Sequence, residues 1–361
     1  MRGRTQKART VTTVTRLTTL ATIAGTIAAF GLAGCNATSL CKLGVGMNDP
    51  SNRTLRRSLM SYGLGQFCQQ VLTRNAPLKL TPEQPVIGRF YAQHCQQQTM
   101  DNGDLLVSFD GIGYAFTDLS RKVSFTNAST IQYDQDFRCA DDNSVYAYFD
   151  PRAISVPNFH VTQIEAALAS LMQSWAGPMA DNFGKQMVAT QLGQGFTVIQ
   201  DGSGGFDFSL GHLPVGQKPP HPYDVHGSNK IIVENLRTSV HAGERDFIGP
   251  IKVDDPGRAL YLTMQLEGQA VVAVLMMPKA QGDVALQAYV NYGPVGPLPA
   301  APAMSEVLQF GQGYQRALPV PPGMYYVVID NTNPAGQGAP PGGAAAGTAL
   351  VNYAIQIGDA P

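Results

Sequence analysis

Charge is scarce in this sequence: Asp, Glu, Lys and Arg make up 14% of its 361 residues. Glycine and proline are plentiful, at 38 and 25, which fits a β-rich exported protein with many turns. No acidic residue precedes Cys35, and no cysteine follows Cys139. The first absence marks a targeting segment, and the second excludes disulfides from everything after Cys139. No G-x-S-x-G elbow and no H-E-x-x-H pair occurs, so neither a serine-hydrolase turn nor a zinc-protease helix can be read. There is no internal repeat.

What is present begins with Arg2, Arg4, Lys7, Arg9 and Arg16, followed by an apolar, Thr/Ala-rich run from Leu17 to Leu32. A basic n-region, a short apolar h-region and small residues at the cut site make a secretory signal over 1–34. The run is too short and too rich in Thr and Gly for a membrane span of ~20 apolar residues. Removing 1–34 takes away five basic residues and no acidic ones, so 25 Lys+Arg against 26 Asp+Glu becomes 20 against 26, net −6. A mildly acidic body argues against nucleic acid and against electrostatic binding to anionic lipid.

The quartet Leu32-Ala33-Gly34-Cys35 resembles a bacterial lipobox. That resemblance implies a lipoprotein: diacylglycerol on the Cys35 sulfur, cleavage before Cys35, and an acyl chain on the new amino group, with no other cofactor. Each buried CH₂ contributes about 0.8 kcal/mol, so several chains anchor stably where one does not. Asn36, in place of the aspartate that retains many such proteins, ranks the outer membrane of the cell envelope above the inner one.

Cys41, Cys68, Cys95 and Cys139 remain, an even count that in an oxidising compartment reads as two disulfides with three possible connectivities. Six positions separate Cys41 from Cys35, a reach of at most ~20 Å. If Cys41 is bonded into the fold, the body sits close to the membrane on a short tether spanning 35–53.

Periodicity predicts an α+β domain over 54–215, an antiparallel meander with amphipathic helices. Met60, Leu64, Phe67, Cys68 and Val71 stripe one helix, weakened by Gly63 and Gly65 and ended by Asn75-Ala76-Pro77. Residues 104–149 alternate as strands, with a bulge expected near Gly111. Thr162 and Glu165 form a capping box, stapled by Val161 and Ala166, ahead of the stripe Ile164, Leu168, Leu171, Met172 and Trp175. Pro178 opens another helix that Gly195 ends, and a hairpin follows over 196–210. Residues 216–229 form a proline-rich linker. From 230 to 361 the period is 2, with strands expected at 230–236, 244–253, 258–267, 270–277, 284–292, 306–310, 314–320, 324–330 and 349–357. This is an all-β sandwich or jelly roll.

Val320-Pro-Pro-Gly-Met-Tyr-Tyr-Val-Val-Ile-Asp330 is similar to the closing strands of bacterial pre-peptidase C-terminal domains. Glu244 to Ile248 and Arg258 to Leu262 resemble their opening strands, over about 238–331. The resemblance implies a non-catalytic accessory that binds polymers or aids secretion. Apolar Val272 to Met277 stands where that family has an acidic strand.

Candidate chemistry is sparse. His221, Asp224 and His226 fall within six residues and carry metal-ligating atoms, but in a linker where they share no regular face. Asp134, Asp136, Asp141, Asp142 and Asn143 bracket Cys139; their oxygens suit calcium, but turn chemistry explains them equally well. Ser203 sits in a Gly-rich hairpin turn with no base beside it. Phe109, Tyr114, Phe116, Phe125, Tyr133, Phe183, Phe196 and Phe208 read as core, or as the wall of an apolar cavity. The favoured reading is a non-catalytic envelope lipoprotein with a binding or structural accessory role toward an envelope protein, glycan or lipid. The alternative is a carrier or sensor of an apolar ligand, and a hydrolase without a recognisable motif ranks last.

Overall fold

The computed structural model describes residues 41, 45–64, 67–81, 83–116, 122–155, 158–165, 185, 188–189, 192–200, 206–225, 230–291, 296–332 and 347–361. Two 3-10 turns, Val45–Asn48 and Pro50–Asn52, lead into α1 (Arg53–Gly63) and α2 (Phe67–Leu72). Eight strands then build one curled antiparallel sheet: β1 (Asn75–Leu78), β2 (Gly88–Thr99), β3 (Leu105–Ala115), β4 (Lys122–Cys139), β5 (Val145–Ile154), β6 (Asn158–Glu165), β7 (Phe196–Gln200) and β8 (Phe206–Leu210). Their order is β1-β2-β3-β4-β5-β7-β8. The 18-residue β4 is shared along its free edge, pairing with β6 over its first half and with β5 over its second.

Two four-stranded antiparallel sheets follow. One has the order β10 (Arg245–Val253), β15 (Gly323–Asp330), β12 (Val271–Pro278), β13 (Met304–Gln309). The other has β14 (Gly313–Pro319), β11 (Arg258–Glu267), β16 (Ala349–Asp359), β9 (Ile231–Val240). Alternate residues of each face the other sheet: Leu260, Leu262, Met264, Leu266, Val351 and Ile355 meet Ile251, Val272, Val274, Val327 and Ile329. Each such side chain contributes about 1.5–3 kcal/mol when fully buried.

The chain is therefore mostly β, and the expected α+β class with amphipathic helices is corrected. Thr162 and Glu165, expected to cap a helix, lie in β6, where Glu165 pairs in register with Lys122 of β4. Strand pairing and a buried ion partner outweigh a local capping preference, which is worth only about 1 kcal/mol. Residues 166–176 of that expected helix lie outside the described residues. The expected strand at 284–292 is instead α3 (Lys279–Asn291). Ala285, Leu286, Tyr289 and Val290 are its buried stripe, and this helical spacing competes with the alternation of Val284, Leu286 and Val290. Gly282 allows α3 to lie on β15, since a Cβ there would come within 2.2 Å of the Tyr326 ring.

The helix striped by Met60 to Val71 is two helices, α1 ending at Gly63 and α2 beginning at Phe67, and Asn75-Ala76-Pro77, read as a helix stop, is part of strand β1. The bulge expected near Gly111 falls on its partner, where the register of β2 shifts between Ala92 and His94. The 196–210 hairpin is present as β7 and β8.

Candidate functional site

Two places concentrate polar chemistry, at opposite ends of the curled sheet. The first is built on α1, whose Arg53, Arg56 and Arg57 fall at i, i+3 and i+4 and so share a face. That face lies on β4. Arg56 is fully buried and grips Asp136 through Nε (2.8 Å) and Nη2 (3.1 Å), while its Nη1 donates to the Met47 and Asp49 carbonyls. Arg57 bridges Asp104 and Asp134, and Arg53 and Arg152 both reach Asp134.

Burial alone would raise the Asp104 carboxyl, yet hydrogen bonds from Gln132, Arg57 and Asn102 hold it below its ordinary value. Asp136 behaves alike: burial opposes its charge, and Arg56 and Arg138 more than offset it.

Two disulfides close this end, Cys41–Cys139 and Cys68–Cys95, which selects one of the three connectivities. Cys139 is the last residue of β4, and its peptide is also clamped by the Asn48 side chain. Asn48 Nδ2 donates to the Cys139 carbonyl (2.8 Å) and its Oδ1 accepts from the Cys139 amide (2.9 Å).

The second place is where the sheet meets the sandwich. Arg89 of β2 is fully buried, with Nε and Nη2 on Asp246 (2.7 and 2.9 Å) and Nη1 on Glu234 (2.8 Å). It also donates to Asn75 Oδ1 and to the Tyr353 hydroxyl. Asp246 further accepts from Tyr114 (2.8 Å) and Thr238 (2.9 Å), so its lone pairs are occupied. Burial works against the Arg89 charge, but Asp246 and Glu234 prevail and push its pKa well up. Burial first, and Asp246 next, raise Tyr114 far above the usual phenol value.

Beside this cluster, the buried Lys122 ammonium donates to the Tyr289 carbonyl (2.6 Å), lies 4.0 Å from that ring's centre and pairs with Glu165 (2.7 Å). The Tyr289 hydroxyl donates to Glu244 (2.9 Å). Tyr91, Ile112, Tyr114 and Phe116 from the sheet pack on Phe247, Leu275, Tyr326 and Val328 from the sandwich around these ions.

The sequence-expected metal candidates are not brought together. Asp141 and Asp142 are exposed in the β4–β5 turn, where Asp142 accepts from the Ser144 amide (2.9 Å) and Asn143 takes φ 63°. That amide bond comes first in holding the Asp142 carboxyl below its ordinary value. His221 lies 2.7 Å from Asp207 on β8 and 2.9 Å from the Asn235 carbonyl on β9. Asp224 is exposed, and His226 and Ser203 lie outside the described residues. Among the described residues, no three His, Cys, Asp or Glu side chains are placed to hold a metal ion.

The aromatic set is largely spent on itself. Phe125 stacks between Phe90 (6.4 Å) and Phe159 (4.7 Å), and Phe149 lies on Phe196 (4.3 Å). Phe208 sits half-exposed at the rim, 5.6 Å from Phe196, and Phe183 is outside the described residues.

Sequence reasoning missed Arg89, Lys122, Glu244, Asp246 and Tyr353. The available signal was a charge set among strand-forming apolar residues, as in Gly88-Arg89-Phe90-Tyr91, within a chain that uses charge sparingly.

No family model matches the chain, and no curated protein matches it. Among solved structures it is similar to a glycoside hydrolase family 43 arabinoxylan arabinofuranohydrolase from Bacillus subtilis in complex with cellotetraose, at 8% identity and TM-score 0.20, covering 75% of this chain and 67% of that one. Infectious bursal disease virus Gt strain gives 10% identity and TM-score 0.18, over 78% and 75%. Superpositions this loose carry no argument about function.

Proposed function

We propose that this chain is a lipid-anchored, non-catalytic lipoprotein of the cell envelope whose curled sheet is a stand for the sandwich, the part that binds. The sandwich's partner is an envelope protein or glycan, and Asn36 ranks the outer membrane first. The observation that carries this reading is the Cys41–Cys139 disulfide, six positions beyond the lipobox cysteine and at the far end of β4 from the buried Arg89 junction. A body held by lipid on Cys35 needs a firm attachment close to the lipid, and that staple supplies one. Among the described residues no helix is long and apolar enough to cross a membrane. The aromatic rings that would line a cavity stack on one another, which supports a stand over a carrier of an apolar ligand.

Replacing Cys35 by Ala, behind a secretory signal whose cleavage does not depend on lipid, tests the reading. The variant is expected to leave the membrane fraction and appear in the soluble periplasmic one. Continued membrane retention would contradict it.

A further inference from the structure

If lipid holds Cys35, the structure also bears on which surface meets the bilayer. Five residues lie between Cys35 and Cys41, so the Cys41 Cα is at most ~20 Å from the lipidated residue. Cys41 is buried and bonded to Cys139, where β4 ends and the β4–β5 turn begins. The chain beyond it cannot pay out more length. Asn48 is paired at both ends of its amide with the Cys139 peptide, and Arg56 fastens the Met47 and Asp49 carbonyls.

β4 outruns β3 at this end: Leu105 of β3 is opposite Tyr133, which leaves Asp134 to Cys139 projecting, about 20 Å at strand spacing. Everything the tether can bring to the lipid therefore lies around this projection. The sandwich joins the opposite end of β3, beyond Ala115, and touches the sheet again along β8, where His221 links Asp207 to the Asn235 carbonyl of β9.

We propose that the surface formed by the β4–β5 turn, the two 3-10 turns and the start of α1 rests on the phospholipid headgroups, with the sandwich turn Phe310–Gln312 clear of them. This rests on the anchoring reading and adds an orientation to it. The surface is polar and carries both signs: Asp49, Asp141, Asp142 and Asn143 are exposed, and so is Arg53. Leu55 is the large apolar side chain exposed on α1. Such a surface suits zwitterionic headgroups, whose ammonium groups meet the carboxylates and whose phosphates meet Arg53. Its excess of carboxylates disfavours an anionic bilayer.

The test is hydrogen exchange of the full lipidated chain in phosphatidylethanolamine/phosphatidylcholine vesicles, against Cys35→Ala with the same vesicles. Intact mass is read first. In the lipidated chain, amides over 46–52 and 140–144 are expected to exchange several-fold more slowly, and those of the sandwich turn at Phe310–Gln312 to be unchanged. Adding phosphatidylglycerol at low salt is expected to weaken that slowing, and a stronger slowing would overturn the headgroup assignment. A lipidated Cys35 with slowing at Phe310–Gln312, or with none at 140–144, overturns the orientation alone. A Cys35 without lipid overturns the anchoring reading and this one with it.

Discussion

The curled sheet and the sandwich are both antiparallel β, yet they are held in different ways. The sandwich closes two sheets over an aliphatic interior of Leu, Ile, Val and Met, and it contains no cysteine. The curled sheet packs aromatic rings, carries buried Arg–Asp pairs under α1, and has both disulfides. The curled sheet buries one face under α1 and the other only where Tyr91, Ile112 and Tyr114 meet the sandwich, so covalent closure adds to what its apolar burial supplies. The lesson is that one strand pattern can rest on two distinct sources of stability, and that each should fail under a different insult.

The largest effect is expected where the two regions meet. Arg89→Ala leaves the buried Asp246 and the half-buried Glu234 without their cation, a loss of about 4 kcal/mol measurable by denaturant titration. Both regions should feel it, because Asp246 belongs to the sandwich and Arg89 to the sheet.

Next comes removal of Cys41–Cys139 by paired serine substitution. It opens a loop of 98 positions and should cost about 3–4 kcal/mol, with the denaturant midpoint falling for the sheet and not for the sandwich. Leu262→Ala should invert that pattern, destabilising the sandwich by about 3 kcal/mol through a core cavity.

The smallest effect expected is on pH dependence. The folded sheet holds Asp104 and Asp136 below their ordinary values, so their contribution is present above about pH 4 and is lost as pH falls through the folded values. In the sandwich, burial raises Asp330 despite Arg245, so its contribution runs the other way and is lost as pH rises. Acidification from about pH 5 should thus loosen the sheet before the sandwich in a region-resolved exchange experiment. Simultaneous loosening would count against the comparison.

The two regions were also unequally legible. In the sandwich, Leu260 to Leu266 and Val351 to Ile357 alternate because one face is buried and the other is not, so the sequence carries its strands openly. The exception is α3, where an alternating Val284, Leu286 and Val290 hid a helical stripe. In the curled sheet, local signals pointed elsewhere: Thr162 and Glu165 have the spacing of a helix start, but Glu165 answers Lys122, which is 43 positions away in sequence. A partner at that distance leaves no mark within a local window. The same holds for Asp134 and Asp136, whose partners are arginines about 80 positions earlier on α1. Cysteine parity gave two disulfides, while the pairing required the fold. The junction joins residues from both regions: Arg89 and Asp246 could be suspected only from their charge, and the neutral Tyr353 carried no such mark.

The central claim, that the sheet depends on its staples and the sandwich does not, is tested most directly by hydrogen exchange on the reduced wild-type protein. The amides of Ile131 and Tyr133 in β4 are to be compared with those of Leu262 and Ile355 in the sandwich. The account predicts that reduction strips protection from the first pair and leaves the second pair slow. Loss of protection at all four together, or at none, would contradict it.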